Sequence, residues 1–242
     1  MYVRSVWMVL GVLILSMIGS ACDTVKPQEE ESQELLLHIE SVDYPLEVPV
    51  GASVDMGLVF VVECPVHIRK EKEALEENRY RLAVYGELVF AGCEPAPGFA
   101  EGRSETFFRL GEVVDTTYYV DILSPEAIYT VSFRPVSVQQ PGRYHIRTNT
   151  PFEEEPVRVQ AVLYERTDQS ALPLDTLTLD AIGQGLFERT FDPPVTLSLD
   201  NTLFFELIFT YPDRPAFHDI PRPLTPDRYA VRVKYLGTVQ QN

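Results

Sequence analysis

From Leu35 onward the chain is a succession of short apolar runs broken by turns, and this pattern restricts the fold more than any other feature. Leu35–Val42, Ser53–Cys64, Tyr80–Tyr85, Glu87–Ala91, Glu105–Leu110, Thr116–Leu123, Ile128–Arg134 and Arg143–Thr148 are rich in β-branched, leucine and aromatic residues. Apolar and polar residues trade places through Tyr129-Thr130-Val131-Ser132-Phe133, as a half-buried strand requires. Gly51, Gly86, Gly111 and Pro141-Gly142 read as turns. Val157–Tyr164, Leu174–Leu179, Leu186–Phe191, Val195–Leu199, Thr202–Thr210 and Tyr229–Leu236 continue the series. Many short strands with turns between them predict an all-β fold: one or two β-sandwich domains of immunoglobulin-like or jelly-roll type.

Two stretches stand apart. Arg69–Asn78, RKEKEALEEN, is almost wholly charged and is predicted as a short surface helix, since it has no apolar face to bury. Thr150–Pro156, TPFEEEP, breaks the strand pattern and reads as a domain boundary or a stiff crossing between sheets. The expected units are therefore 35–150, a β-sandwich, and 156–239, a second β-rich domain or the second half of one large sandwich. Pro45–Val62 can be laid on Pro194–Tyr211, and Pro141-Gly142-Arg143-Tyr144 on Pro226-Asp227-Arg228-Tyr229. Either two related halves or the sameness of hairpins accounts for these matches.

Ahead of the strands, Val6–Ile18 is apolar except for Gly11 and Ser16, with Arg4 before it. Gly19, Ser20 and Ala21 are small, and Cys22 follows. A cation, a short apolar run and small residues are the parts of a secretory signal. The run is short for a bilayer span of roughly 20 residues. This segment resembles the signal peptide of bacterial lipoproteins, in which a Cys directly after the small residues takes the lipid and becomes the N-terminus. Ser20, Ala21 and Cys22 match that pattern, and Gly19 stands where the family usually has Leu. The resemblance implies a signal peptide over 1–21, lipidation at Cys22, and a membrane-anchored lipoprotein of the bacterial cell envelope, periplasmic or surface-facing. An ordinary cleaved signal and an uncleaved anchor helix are the alternatives. Residues 22–34, with DTVKPQEEESQ at Asp23–Gln33, read as a flexible tether.

The formal net charge is −16, and loss of Arg4 with the signal makes the mature chain more acidic still. That argues against nucleic acid as a partner. With Cys22 lipidated, Cys64 and Cys93 remain as a pair in a compartment that permits a disulfide. Closing a loop of about 29 residues would stabilise the fold by roughly 3.5 kcal/mol; two buried free thiols are the other reading.

No catalytic residue, metal site or cofactor is assigned. G-x-S-x-G, H-E-x-x-H, Walker and G-x-G-x-x-G motifs are absent from the sequence. Cys64-Pro65-Val66-His67 has C-x-x-H spacing, but no second pair completes four zinc ligands. The sole Trp, Trp7, lies in the signal, which weakens a stacking platform for sugars. The candidate working surface is the long connection Tyr211–Pro226, in which Tyr211, Arg214, Phe217, His218, Asp219 and Arg222 combine aromatic, cationic and acidic groups. The connection Gly92–Ser104 is a second candidate; a loop covering a sheet edge is the plainer role for either. The expected function is a non-enzymatic binding or scaffolding module that meets the membrane through its lipid and an envelope protein or a glycan through its surface. A carbohydrate-binding or polymer-processing component is the alternative, and an envelope hydrolase a third.

Overall fold

The alternating runs do form strands. The computed structural model describes residues 34–62, 66–88, 102–135, 143–165, 172–192, 202–225 and 228–239. In chain order the strands are β1 (Glu34–Leu36), β2 (Ile39–Pro45), β3 (Ser53–Val62), β4 (Val66–Glu76), β5 (Arg79–Leu88), β6 (Gly102–Glu112), β7 (Tyr118–Leu123), β8 (Ile128–Phe133) and β9 (Tyr144–Asn149). They continue as β10 (Arg158–Tyr164), β11 (Asp175–Thr178), β12 (Asp180–Gly183), β13 (Leu186–Phe191), β14 (Leu203–Thr210), β15 (Phe217–His218), β16 (Arg222–Leu224) and β17 (Ala230–Tyr235). The fold is all-β, with three sheets, two mixed and one antiparallel, in a sandwich-like arrangement. The signal, Cys22, the tether up to residue 33, Cys64 and Cys93 lie outside the described residues, as do 89–101, whereas Glu34, expected at the end of the tether, begins β1.

The central sheet has seven strands in the order β12-β13-β9-β17-β2-β3-β6. Strand β17, last in the chain, joins it together: it runs antiparallel to β2 and parallel to β9. The other two sheets are β1-β5-β7-β8 with β4 on β5, and β11-β10-β14 with β15 and β16 on β14.

Strand parity shows how the layers stack. Val42 and Tyr44 of β2, Met56, Leu58 and Phe60 of β3 and Phe108 of β6 share one core with Leu82, Val120, Ile122, Val131 and Phe133 of the first outer sheet. Val231, Val233 and Tyr235 of β17 and Tyr144 and Ile146 of β9 share another with Ala161, Leu163, Phe205, Leu207 and Phe209 of the second. Val42 pairs with Lys234 and Tyr44 with Arg232, whereas Asp43 pairs with Val233. The even-numbered and odd-numbered residues of β17 therefore face opposite sides of the central sheet. The two outer sheets cover opposite faces at opposite ends, so each of them spans only part of the width of the central sheet.

Three expectations need correction. Arg69–Asn78 is not a helix: most of it is β4, hydrogen-bonded to β5 from Val66 to Glu76. Its charges fit an edge strand, where Arg69 meets Glu71 two residues on and Lys70 and Lys72 donate to the backbone carbonyls of Phe107 and Arg109 on β6. Gly86 is not a turn but lies inside β5, where an added Cβ would come within 3.1 Å of Val66 and Leu37. Gly111 sits at a bulge in the β3–β6 ladder.

The match of Arg143-Tyr144 to Arg228-Tyr229 has a counterpart in space. Strands β9 and β17 lie side by side with His145 beside Ala230, Ile146 beside Val231 and Arg147 beside Arg232, which is the register of the sequence match. Tyr144 and Tyr229 meet edge-on at 5.0 Å. The longer match places β3 in the central sheet and β14 in an outer one, with 194–201 outside the described residues.

Candidate functional site

Tyr211–Pro226 starts at the end of β14, turns back, and pairs with that strand twice. Phe217 and His218 of β15 lie opposite Phe209 and Ile208, and Arg222 of β16 lies opposite Phe205. Pairing in this way turns alternate side chains of the connection inward. It runs as a strap along the edge of the outer sheet and presses on the central sheet.

Most of the six candidate residues are buried by it. Tyr211 and Phe217 are core residues; Phe152 meets their rings at 5.5 and 5.4 Å. Burial pushes the Tyr211 hydroxyl up to about 12. The Arg214 guanidinium stacks 3.8 Å over Phe152. His218 is exposed, with its Nδ1 2.8 Å from Glu206 Oε1. Asp219 and Arg222 are buried, Arg222 completely.

Asp219 and Arg222 anchor a polar network between the strap and the central sheet. Asp219 Oδ2 accepts from Arg222 Nε at 3.2 Å, from Arg222 Nη2 at 3.1 Å and from the Tyr235 hydroxyl at 2.6 Å. Arg222 Nη2 also donates to Ser41 Oγ at 2.6 Å. Beside it, Arg228 donates to the fully buried Asp43 at 3.1 Å. Arg103 pairs with Glu40 at 2.5 Å and stacks 4.6 Å over Phe217. Burial works against the charge of Arg222, but Asp219 and Asp43 outweigh it and hold the guanidinium above its ordinary pKa. Glu105 Oε1 lies 3.8 Å from Arg222 Nη1. Burial, and then the charge of Asp43, push Glu105 up to about 7.

Gly57 makes room for this network. A Cβ there would stand 1.9 Å from Asp43 Oδ1 and 2.7 Å from Glu105 Oε1. A glycine inside an apolar strand marks close approach of other groups, so Gly57 was a readable signal in the sequence. Ser41, Asp43, Glu105 and Tyr235 carried none, because their partners are remote in the chain.

The chemistry open to these groups is limited. The strap carboxylates and guanidinium groups hold one another. Elsewhere, His38 Nδ1 and Ser124 Oγ both meet Glu126 Oε2, at 2.9 and 2.8 Å. There Ser124 donates to the carboxylate and the imidazole does not contact the serine, so the three groups lack the serine–imidazole–acid order of a triad. A cavity of about 240 Å³ lies between the β2–β3 turn and the strap, among Pro45, Val48, Pro49, Phe107, Pro223 and Arg228. A shallow hollow of about 410 Å³ lies by Phe152, Glu153, Glu155 and Gln184. Neither is lined by a histidine. Among the described residues no group of three or more His, Cys, Asp or Glu could hold a metal ion, and no helix is long and apolar enough to cross a membrane.

No protein-family model matches the chain, and no curated protein or solved structure matches it.

Proposed function

We propose that this chain is a lipid-anchored protein of the bacterial envelope, held at Cys22, whose β-sandwich part is a non-enzymatic binding or scaffolding module. The immunoglobulin-like or jelly-roll kind of the sandwich belongs to this proposal. The observation that carries the module is the strap, whose Asp219 and Arg222 are held by one another and by Tyr235 and Ser41 of the central sheet. Such a network fixes the relation between sheets and leaves little for chemistry on a substrate. The anchor rests on the segment Val6–Cys22. Envelope proteins are favoured over glycans as partners, because among the described residues the exposed aromatics Phe107 and Tyr119 stand on different sheets and form no common platform.

Envelope fractionation tests the anchor. Wild type is expected in the membrane fraction and Cys22→Ser in the soluble one; a mutant that stays membrane-bound at the wild-type mass would refute lipidation. A pull-down from envelope extract tests the module. A specific protein partner is expected, and recovery of none, together with binding to a glycan array, would overturn it.

A further inference from the structure

The first outer sheet ends at β8, and β9, β13 and β12 of the central sheet continue past it. Strand β8 packs over β2, where Phe133 meets Tyr44 at 6.5 Å. It also reaches the end of β17, where the Tyr129 hydroxyl lies 2.9 Å from the place a side chain on Gly237 would occupy. Beyond that edge, the face of β9, β13 and β17 turned away from the second core carries charges where a sandwich would carry a core. His145 and Arg147 come from β9, Arg232 and Lys234 from β17, and Glu188 from β13, all half-buried. Glu188 stands opposite Arg147, Arg147 beside Arg232, and Arg232 opposite Tyr44.

This arrangement is costly for the fold alone. Like charges set directly across neighbouring strands repel, and Arg147 and Arg232 are so placed. Arg147 is paired with Glu188 at 2.5 Å, and His145 shares that carboxylate at 3.3 Å. Arg232 donates to the Tyr44 hydroxyl, but its buried Nε has no hydrogen-bond partner. Burial, and then Arg232, lower the pKa of Lys234. A chain with 36 acidic and 20 basic residues thus sets two arginines, a lysine and a histidine on one face with a single carboxylate, Glu188, among them.

The neighbouring edge has no partner strand either among the described residues. Among the described residues β8 pairs with β7 alone. Its sequence, IYTVSF, has no charge, Pro or Gly. On the far side of the same sandwich, two of the chain's four lysines guard the edge of β6. Proteins blunt strand edges with charge, lysine above all, and β8 lacks that protection.

The geometry points to a docking site for an extended acidic segment of a partner protein, which adds to the edge of β8 and sets its inward carboxylates on Arg147, Arg232 and Lys234. A strand added there would lie over β17, the neighbour of β2 in the central sheet, across a gap of about 10 Å. Arg232 and Lys234, two residues apart on one strand, are spaced by about 7 Å, as are alternate side chains of an extended peptide. An edge of backbone donors and acceptors selects a peptide over a sulfated or uronic glycan, which has no ladder to offer.

This site gives the binding role above a place and a class of partner, and it rests on that role. The test uses the purified protein and a fluorescein-labelled octapeptide of alternating Thr and Glu, followed by anisotropy and by hydrogen exchange. Needing neither lipid nor natural partner, it can fail while the pull-down succeeds, and the reverse. Micromolar binding is expected, weakened by salt, with slowed exchange of β8 amides. Arg232→Gln and Lys234→Gln, each checked for folding by circular dichroism, are expected to weaken it about tenfold, whereas Lys70→Gln leaves it unchanged. No binding, equal affinity in all variants, binding without protection of β8, or preference for a sulfated polysaccharide would each overturn the site.

Discussion

Glu105 and Asp43 both point into the space that Gly57 leaves empty, and this contact makes stability depend on pH. Burial is the larger cause of the raised Glu105 pKa, and the Asp43 charge the next, with Arg222 and Arg228 opposing them. Its ordinary value is 4.5, so between there and about 7 the folded chain holds a proton that the unfolded chain has lost. The stability from that proton is fully present below 4.5 and is lost as pH climbs through about 7. The whole effect is about 3 kcal/mol. Urea midpoints of wild type should therefore fall between pH 5 and 8, and Glu105→Gln should flatten the fall and be the more stable at pH 8. An unchanged profile in the variant would assign the effect elsewhere. Gly57→Ala should cost about 3 kcal/mol or more, since its methyl would overlap a carboxylate that has nowhere to go; a wild-type urea midpoint would contradict the close approach. Arg222→Ala should cost about 3–5 kcal/mol, because it strands the buried Asp219 carboxylate; the same denaturation experiment measures it. Of these residues, Asp219 and Arg222 stood out in the sequence as part of a polar connection, whereas Gly57 passed as part of the run Ser53–Cys64. Ser41 and Asp43 looked like the solvent side of an ordinary alternating strand, because the strap that buries them arrives from far along the chain.

Among the elements, β4 shows where composition misleads. Its run of charges suits a surface helix by propensity, yet the ion pairs that form are Arg69 with Glu71 and with Glu34, and Glu73 with Arg81. Side chains two residues apart share a face in a strand and not in a helix. What decides the matter is the ladder that β5 offers, and no local pattern records it. Replacing Lys70 and Lys72 together by Ser should change stability by less than about 1 kcal/mol, as for other exposed polar contacts. It should, however, raise self-association through the bared edge of β6, readable by light scattering at increasing concentration; a monomeric double mutant would show that the lysines guard nothing. The shared Arg-Tyr start of β9 and β17 was legible in the sequence, and their adjacency was not. Parallel neighbours need a long crossover, and local pattern does not say where a crossover lands. Likewise β12, β15 and β16 are too short to show a period of two, and pairing alone defines them.

At the scale of the molecule, the all-β class was legible because alternation and turns are local properties. The layering was not. It depends on β17 entering between β2 and β9, which makes one central sheet serve two cores on opposite faces. From that one placement follow the covered strap, the half-buried basic face beside β8 and the binding role proposed for it. The direct test is hydrogen exchange resolved along β17. The account predicts that the amides of β17 paired with β2 or β9 exchange as slowly as their partners in those strands, through global unfolding alone. Exchange of β17 at loop rates, or release of β2 and β9 in two separate openings, would contradict it.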